Sequence, residues 1–176
     1  DFCSDPTASN FVEGCDDVTI VSGEENCGLG GCDLENIDWT FTVTDANMTI
    51  QIYQEAITLN GEEPPCGALL GAFFTNDQGE LSCAGYQTWC NDFYANNNTG
   101  QLMLQIPLWA SEEGEDNGFA NGEEITWLLK VGNQTFNADE IIMNEEQPFT
   151  TTFVSNGFGQ VLEASYNCDV TGIPGC

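Results

Sequence analysis

The side chains here that could do chemistry are carboxylates, thiols and amides, because most others are missing. The chain carries 29 Asp and Glu against one basic residue, Lys130, with no His and no Arg, for a net charge of −28. Without imidazole there is no ordinary general base near neutral pH, and without guanidinium no bidentate clamp for phosphate or carboxylate. Catalysis would have to run on carboxylates alone, as in a glycosidase pair held about 5–10 Å apart. Among so many acids such pairs arise by chance. The chain therefore reads as a protein that is not an enzyme.

Three other constellations remain. The loop Glu112-Glu113-Gly114-Glu115-Asp116-Asn117 offers hard oxygen ligands, so Ca2+ is the one cofactor to consider, held by Glu115, Asp116 and Asn117. The loop lacks EF-hand spacing, and a solvated acidic surface is the plainer reading. Sequons stand at Asn47, Asn97 and Asn133; chance alone supplies about two in such a composition, but all three fall at expected turns where a glycan fits. For stacking on sugars, Trp89 and Tyr94 lie in a polar loop, whereas Trp39 and Trp127 run in phase with core residues.

Nine cysteines, in a chain whose first residue is Asp rather than Met, point to an exported protein with oxidised thiols. Zinc is the competing use of cysteine, but the spacings 27–32 and 83–90 make no C-x-x-C pair. Sequence proximity suggests the bridges Cys3–Cys15, Cys27–Cys32, Cys83–Cys90 and Cys168–Cys176, leaving Cys66 over. Spacing alone does not fix connectivity. The charge excludes nucleic acid and anionic membranes as partners, since nothing neutralises phosphate. No apolar run approaches the ~20 residues of a membrane span.

The elements that must position these groups read as strands. Leu69–Thr75 is apolar on both faces, Asn76-Asp77-Gln78-Gly79 is turn chemistry, and Leu81–Tyr86 returns, with Gly85 where a Cβ would meet a neighbour. A strand apolar on both faces belongs in the middle of a fold. Ile37, Trp39, Phe41 and Val43 alternate with polar residues, as do Met48, Ile50 and Ile52. Ala56–Leu59 leads into an Asn60-Gly61 turn. Leu102–Leu108 alternates, although Pro107 argues against a central ladder there. Ile125–Val131, Thr135-Phe136, Glu140–Met143, Phe149–Ser155 and Gln160–Tyr166 complete the set. The expected fold is all-β, a jelly-roll-like β-sandwich of about ten short strands over residues 37–176, behind a Cys-rich extended tract, residues 1–36. That tract is too poor in apolar residues to pack a core, and holds one strand-like stretch, Asp17–Ser22.

The order Gly67-Ala68-Leu69-Leu70-Gly71-Ala72-Phe73-Phe74, Gly79, Leu81, Cys83, Gly85-Tyr86 and Trp89 resembles a β-rich module of large secreted and surface proteins of bacteria. Trp109, Asn117-Gly118-Phe119, Gly122-Glu123 and Ile125-Thr126-Trp127 continue the pattern, and Trp39 with Asn47–Ile50 fits its opening strands. The chain departs from it at Cys66-Gly67, where Gly-Asp is usual, and at Trp109-Ala110-Ser111-Glu112, where Trp-Gly-Asp-Asp is usual. The resemblance implies an extracellular scaffold or adhesion role without catalysis. The expectation is a structural subunit that joins other copies head-to-tail into a surface filament or matrix, with Val18, Ile20 and Val21 contacting a neighbour. The alternative is a monomeric module binding glycans or acting through Ca2+.

Overall fold

The computed structural model describes residues 37–167, and those residues are nearly all β. Strands β1 (Asn47–Tyr53) and β2 (Ile57–Leu59) flank one 3-10 turn (Gln54–Ala56). Then follow β3 (Leu69–Thr75), β4 (Leu81–Thr88), β5 (Tyr94–Ala95), β6 (Leu102–Trp109), β7 (Thr126–Val131), β8 (Gln134–Asn137), β9 (Glu140–Met143) and β10 (Phe158–Tyr166). They make two sheets. One runs β4-β3-β7-β8 and is antiparallel throughout. In the other, β10 has β9 on one edge and β1 followed by β2 on the other, and β6 and β5 continue beyond β1. The two sheets make the expected all-β sandwich, and within it the β1–β10 and β2–β10 pairings are parallel.

The main core lies between the sheets. Met48, Ile50 and Ile52 of β1, Leu104, Ile106 and Leu108 of β6, and Val161 of β10 meet Leu70, Ala72 and Phe74 of β3 and Trp127 and Leu129 of β7. The period-two alternation puts these residues on one face of each strand, and full burial of each large side chain stabilises by about 1.5–3 kcal/mol. At one end Phe119 stacks on Phe153, with centroids 5.1 Å apart.

β3 is buried on both faces because a second, smaller core covers the outer side of its sheet. Trp39, Phe73, Cys83 and Leu128 form it, with Ile37, Phe41, Leu69, Leu81 and Tyr86 at its margin. Residues 37–44 are thus not the half-buried strand their alternation predicts. They run as an irregular extended cover with no ladder, and Val43 at its end is 65% exposed. The Trp39 ring lies directly over Gly71, where a Cβ would come within 2.7 Å of it. The predicted middle position holds for β3, whereas β4 is, among the described residues, the edge of its sheet by hydrogen bonding. Gly85 of β4 lets that strand cross β6, since a Cβ there would lie 2.1 Å from the Pro107 carbonyl oxygen. Pro107 is tolerated because β5 pairs with β6 only at Leu102 and Met103. Phe149–Ser155, expected as a strand, contributes only the isolated bridges of Phe149 and Thr152.

Candidate functional site

The one disulfide among the described residues joins Cys66 to Cys90, and Cys83 is free and buried. This corrects the expected Cys83–Cys90 pair, and register explains why. Cys83 faces Phe73 inside the hairpin, while Cys90 lies past its open end. The five strand rises from Cys83 to Thr88 alone span about 17 Å, far beyond the ~7 Å Cα limit of a bridge. Ala68 and Trp89 extend the hairpin by one rung, the Trp89 amide donating to the Ala68 carbonyl at 2.7 Å. That leaves Cys66 and Cys90 opposed at its base. Burial pushes the Cys83 thiol up to about 12. Cys3, Cys15, Cys27, Cys32, Cys168 and Cys176 lie outside the described residues, as do Val18, Ile20 and Val21.

The acidic loop folds on itself rather than around a void. Asn117 Oδ1 accepts from the Glu112 amide at 3.0 Å, and Asn117 Nδ2 donates to Glu112 Oε2 at 2.9 Å. Asp116 Oδ2 accepts from the Asp77 amide at 2.7 Å, tying the loop to the β3–β4 turn. Ser111 Oγ donates to the Glu115 carbonyl. Among the described residues no three Asp, Glu, Cys or His side chains converge as metal ligands. Two of the three residues expected to bind Ca2+ are therefore occupied in bracing loops. Beside this loop a shallow groove of about 300 Å³ opens between residues 38–42 and β4, lined by Asp38, Thr40, Ser82 and Asp116. Thr40 donates to Asp38 through its hydroxyl and its amide, holding that carboxyl below its usual range.

The sugar-facing expectation splits. Trp89 is wholly buried, packed edge-on against Phe93 at 4.7 Å with its ring nitrogen donating to Glu63, so it belongs to the core. Tyr94 is on the surface, 38% exposed beside Tyr53. Trp39 and Trp127 pack as expected. Of the sequons, Asn97 lies in the exposed turn between β5 and β6, and Asn133 in the exposed β7–β8 turn. Asn47, expected at a turn, instead opens β1, half-buried and paired with Trp109.

The least expected surface feature is apolar. Phe158 (48% exposed) and Leu162 (49%) project from β10, and Ile141 and Ile142 (42%) from β9. Inward positions on β10 alternate through Gly159 and Val161, then shift by one at a bulge between Val161 and Glu163, so that Ala164 and Tyr166 point in. Leu162 follows the outward alternation of Phe158 and Gln160, and the bulge turns Glu163 out beside it. β9 pairs only with β10 among the described residues, which leaves its other edge without a strand. The adjacent Ile141 and Ile142, on opposite faces of a strand, were the available sequence signal for an apolar edge; the bulge leaves no such mark.

No family model, curated protein or solved structure matches this chain.

Proposed function

We propose that the chain is an extracellular, non-catalytic structural subunit that joins further copies of itself head-to-tail into a surface filament or matrix. The observation that carries this reading is the set of exposed apolar side chains along β10 and β9, Phe158, Leu162 and Ile142 on one face and Ile141 on the other, on a molecule with a net charge of −28. So acidic a chain has ample polar residues to cover itself, and clustered exposed apolar side chains mark interaction surfaces. The Cys66–Cys90 bridge is compatible with an oxidising compartment. Among the described residues no helix is long and apolar enough to cross a membrane. Residues 17–22 remain the donor tract of this reading, and a head-to-tail contact that does not close generates a filament. Negative-stain microscopy and light scattering on the full chain at physiological salt test it: elongated assemblies are expected. A monodisperse monomer at high concentration overturns it.

A monomeric glycan-binding module is the second reading, favoured by the exposed Tyr94 ring beside Tyr53. It predicts glycan binding that Tyr94→Ala abolishes, without assembly.

A further inference from the structure

We infer that the free edge of β9 is a strand-accepting site, and that it takes residues 17–22 of a neighbouring copy. This rests on the self-assembly reading above and names the surface that reading requires.

An exposed strand edge is a row of unpaired backbone donors and acceptors, and an added strand gains main-chain hydrogen bonds along it. Proteins usually blunt such edges with Lys, Pro or polar side chains. β9 reads Glu140-Ile141-Ile142-Met143, with neither Lys nor Pro, and pairs only with β10 among the described residues. The competing edges fit less well. β8 is Gln134-Thr135-Phe136-Asn137, largely polar and adjacent to a sequon, β5 has two residues, and β4 (Leu81–Thr88), though long, carries no exposed large apolar side chain. The sides of the β9 edge are apolar on both faces of the sheet. Ile141 lies opposite Ala164, whose side chain points into the core, while Ile142 lies opposite Glu163 on the outer face near Leu162.

An incoming strand must therefore offer apolar side chains at successive positions, not at alternate ones. Ile20-Val21 does so within Asp17–Ser22, where an extended strand would put Val18 with Ile20 and Thr19 with Val21, all four β-branched. Six extended residues cover about 20 Å, more than the length of β9. The described fold begins with Ile37 against the outer face of the opposite sheet. From Ile37 back to Ser22 the chain spans at most about 50 Å. With packed sheets about 10 Å apart, that length reaches the β9 edge of either copy; the head-to-tail reading assigns it to the neighbour's, and isotope mixing below separates the two. Glu140 and Glu163 flank the site, Asp16 precedes the donor and Asp17 opens it, so like charges oppose the contact. Pairing is expected to strengthen as salt rises from ~10 mM to ~150 mM and the screening length falls from about 30 Å to about 8 Å.

The test uses the full chain. Ile142→Lys and Leu162→Lys, both at exposed positions, should raise the concentration needed for assembly at least about tenfold, while Gln134→Lys on the β8 edge leaves it unchanged. All three raise the net charge equally, so general repulsion cannot account for a difference. A photo-reactive side chain at position 142 then identifies the occupant by mass spectrometry, in assemblies mixed from light and heavy-isotope chains. Cross-links from 142 to residues 17–22 of the other isotope are the expected result. Cross-links within one chain, or to residues 168–176, overturn the occupant. Normal assembly by both lysine variants with no cross-link overturns the site but leaves self-assembly standing. A wild-type protein that stays monomeric overturns both.

Discussion

Cys83 and Gly85, two residues apart on β4, show how single side chains meet their limits here. Cys83 lies in the outer core with Trp39 and Phe73 and has no bridge partner. Burial is the largest cause of its raised thiol, the Gly85 backbone hydrogen bond opposes it, and the Asp38 charge adds to it. In the unfolded chain the thiol ionises near its ordinary value of 9.0, in the folded one near about 12. Between those values the unfolded state holds fewer protons, so stability falls as pH rises, by about 1.4 kcal/mol per unit. Denaturant melts at pH 9 to 11 should show that slope reduced in Cys83→Ala, and alkylating reagents should label the native thiol only on unfolding. The buried Tyr166 hydroxyl, also raised by burial, contributes to both proteins and drops out of the difference. For Gly85→Ala, the new Cβ would lie 2.1 Å from a backbone oxygen, and backbone cannot rotate away. A loss of at least about 3 kcal/mol in urea unfolding is expected, at the upper end of overpacking costs. The need for glycine at 85 was legible because it interrupts an apolar strand; the identity of its neighbour was not, because β6 lies on the other sheet. Trp89 misled for a related reason: it follows a recognisable strand, but the hairpin runs one rung further than the pattern shows.

At the scale of elements, the extended segment 37–44 and the disulfide do the work that longer ladders do elsewhere. The segment is held by side chains alone: Trp39 packs edge-on against Phe73 at 4.9 Å and Tyr86 at 5.9 Å, and Lys130 lies 6.0 Å over its ring. Trp39→Ala should therefore cost about 3–5 kcal/mol. Hydrogen exchange should then rise on the outer face of β3 and β7 while β1 and β6 stay protected. Paired replacement of Cys66 and Cys90 by Ser opens a link across a sequence separation of 24 and should lower stability by about 2–4 kcal/mol. Alternation marked the covering residues Ile37, Trp39 and Phe41 but not the exposed Val43, and alternation reports which side is buried, not whether a ladder exists. Here it is buried by lying on a sheet, not by joining one. The same limit applied at Phe149–Ser155, where Phe153 is buried without a strand around it.

For the whole molecule, charge and topology set the behaviour. A net charge of −28 stores self-repulsion in the compact state, so salts should raise the melting temperature by screening it. With Asp116 and Asn117 engaged in loop hydrogen bonds, equimolar Ca2+ and Mg2+ should raise it equally in calorimetry. A saturable excess for Ca2+ that Asp116→Asn removes would restore a specific site. The all-β class was legible because strand periodicity and turn residues are local. The parallel partnership of β1 and β10 was not, since it joins residues more than a hundred positions apart and leaves no local trace. That partnership has a mechanical consequence. β1 comes early in the described chain and β10 ends it, and they lie side by side pointing the same way, with β2 extending the row. Tension applied at Asn47 and Tyr166 drags the two strands past one another lengthwise. Every rung from Thr49–Phe158 to Leu59–Tyr166 then bears load at once, and none can be peeled first. Pulled instead at Asn47 and Phe158, the same ladder opens rung by rung. Single-molecule stretching should find a much larger rupture force in the first geometry than in the second.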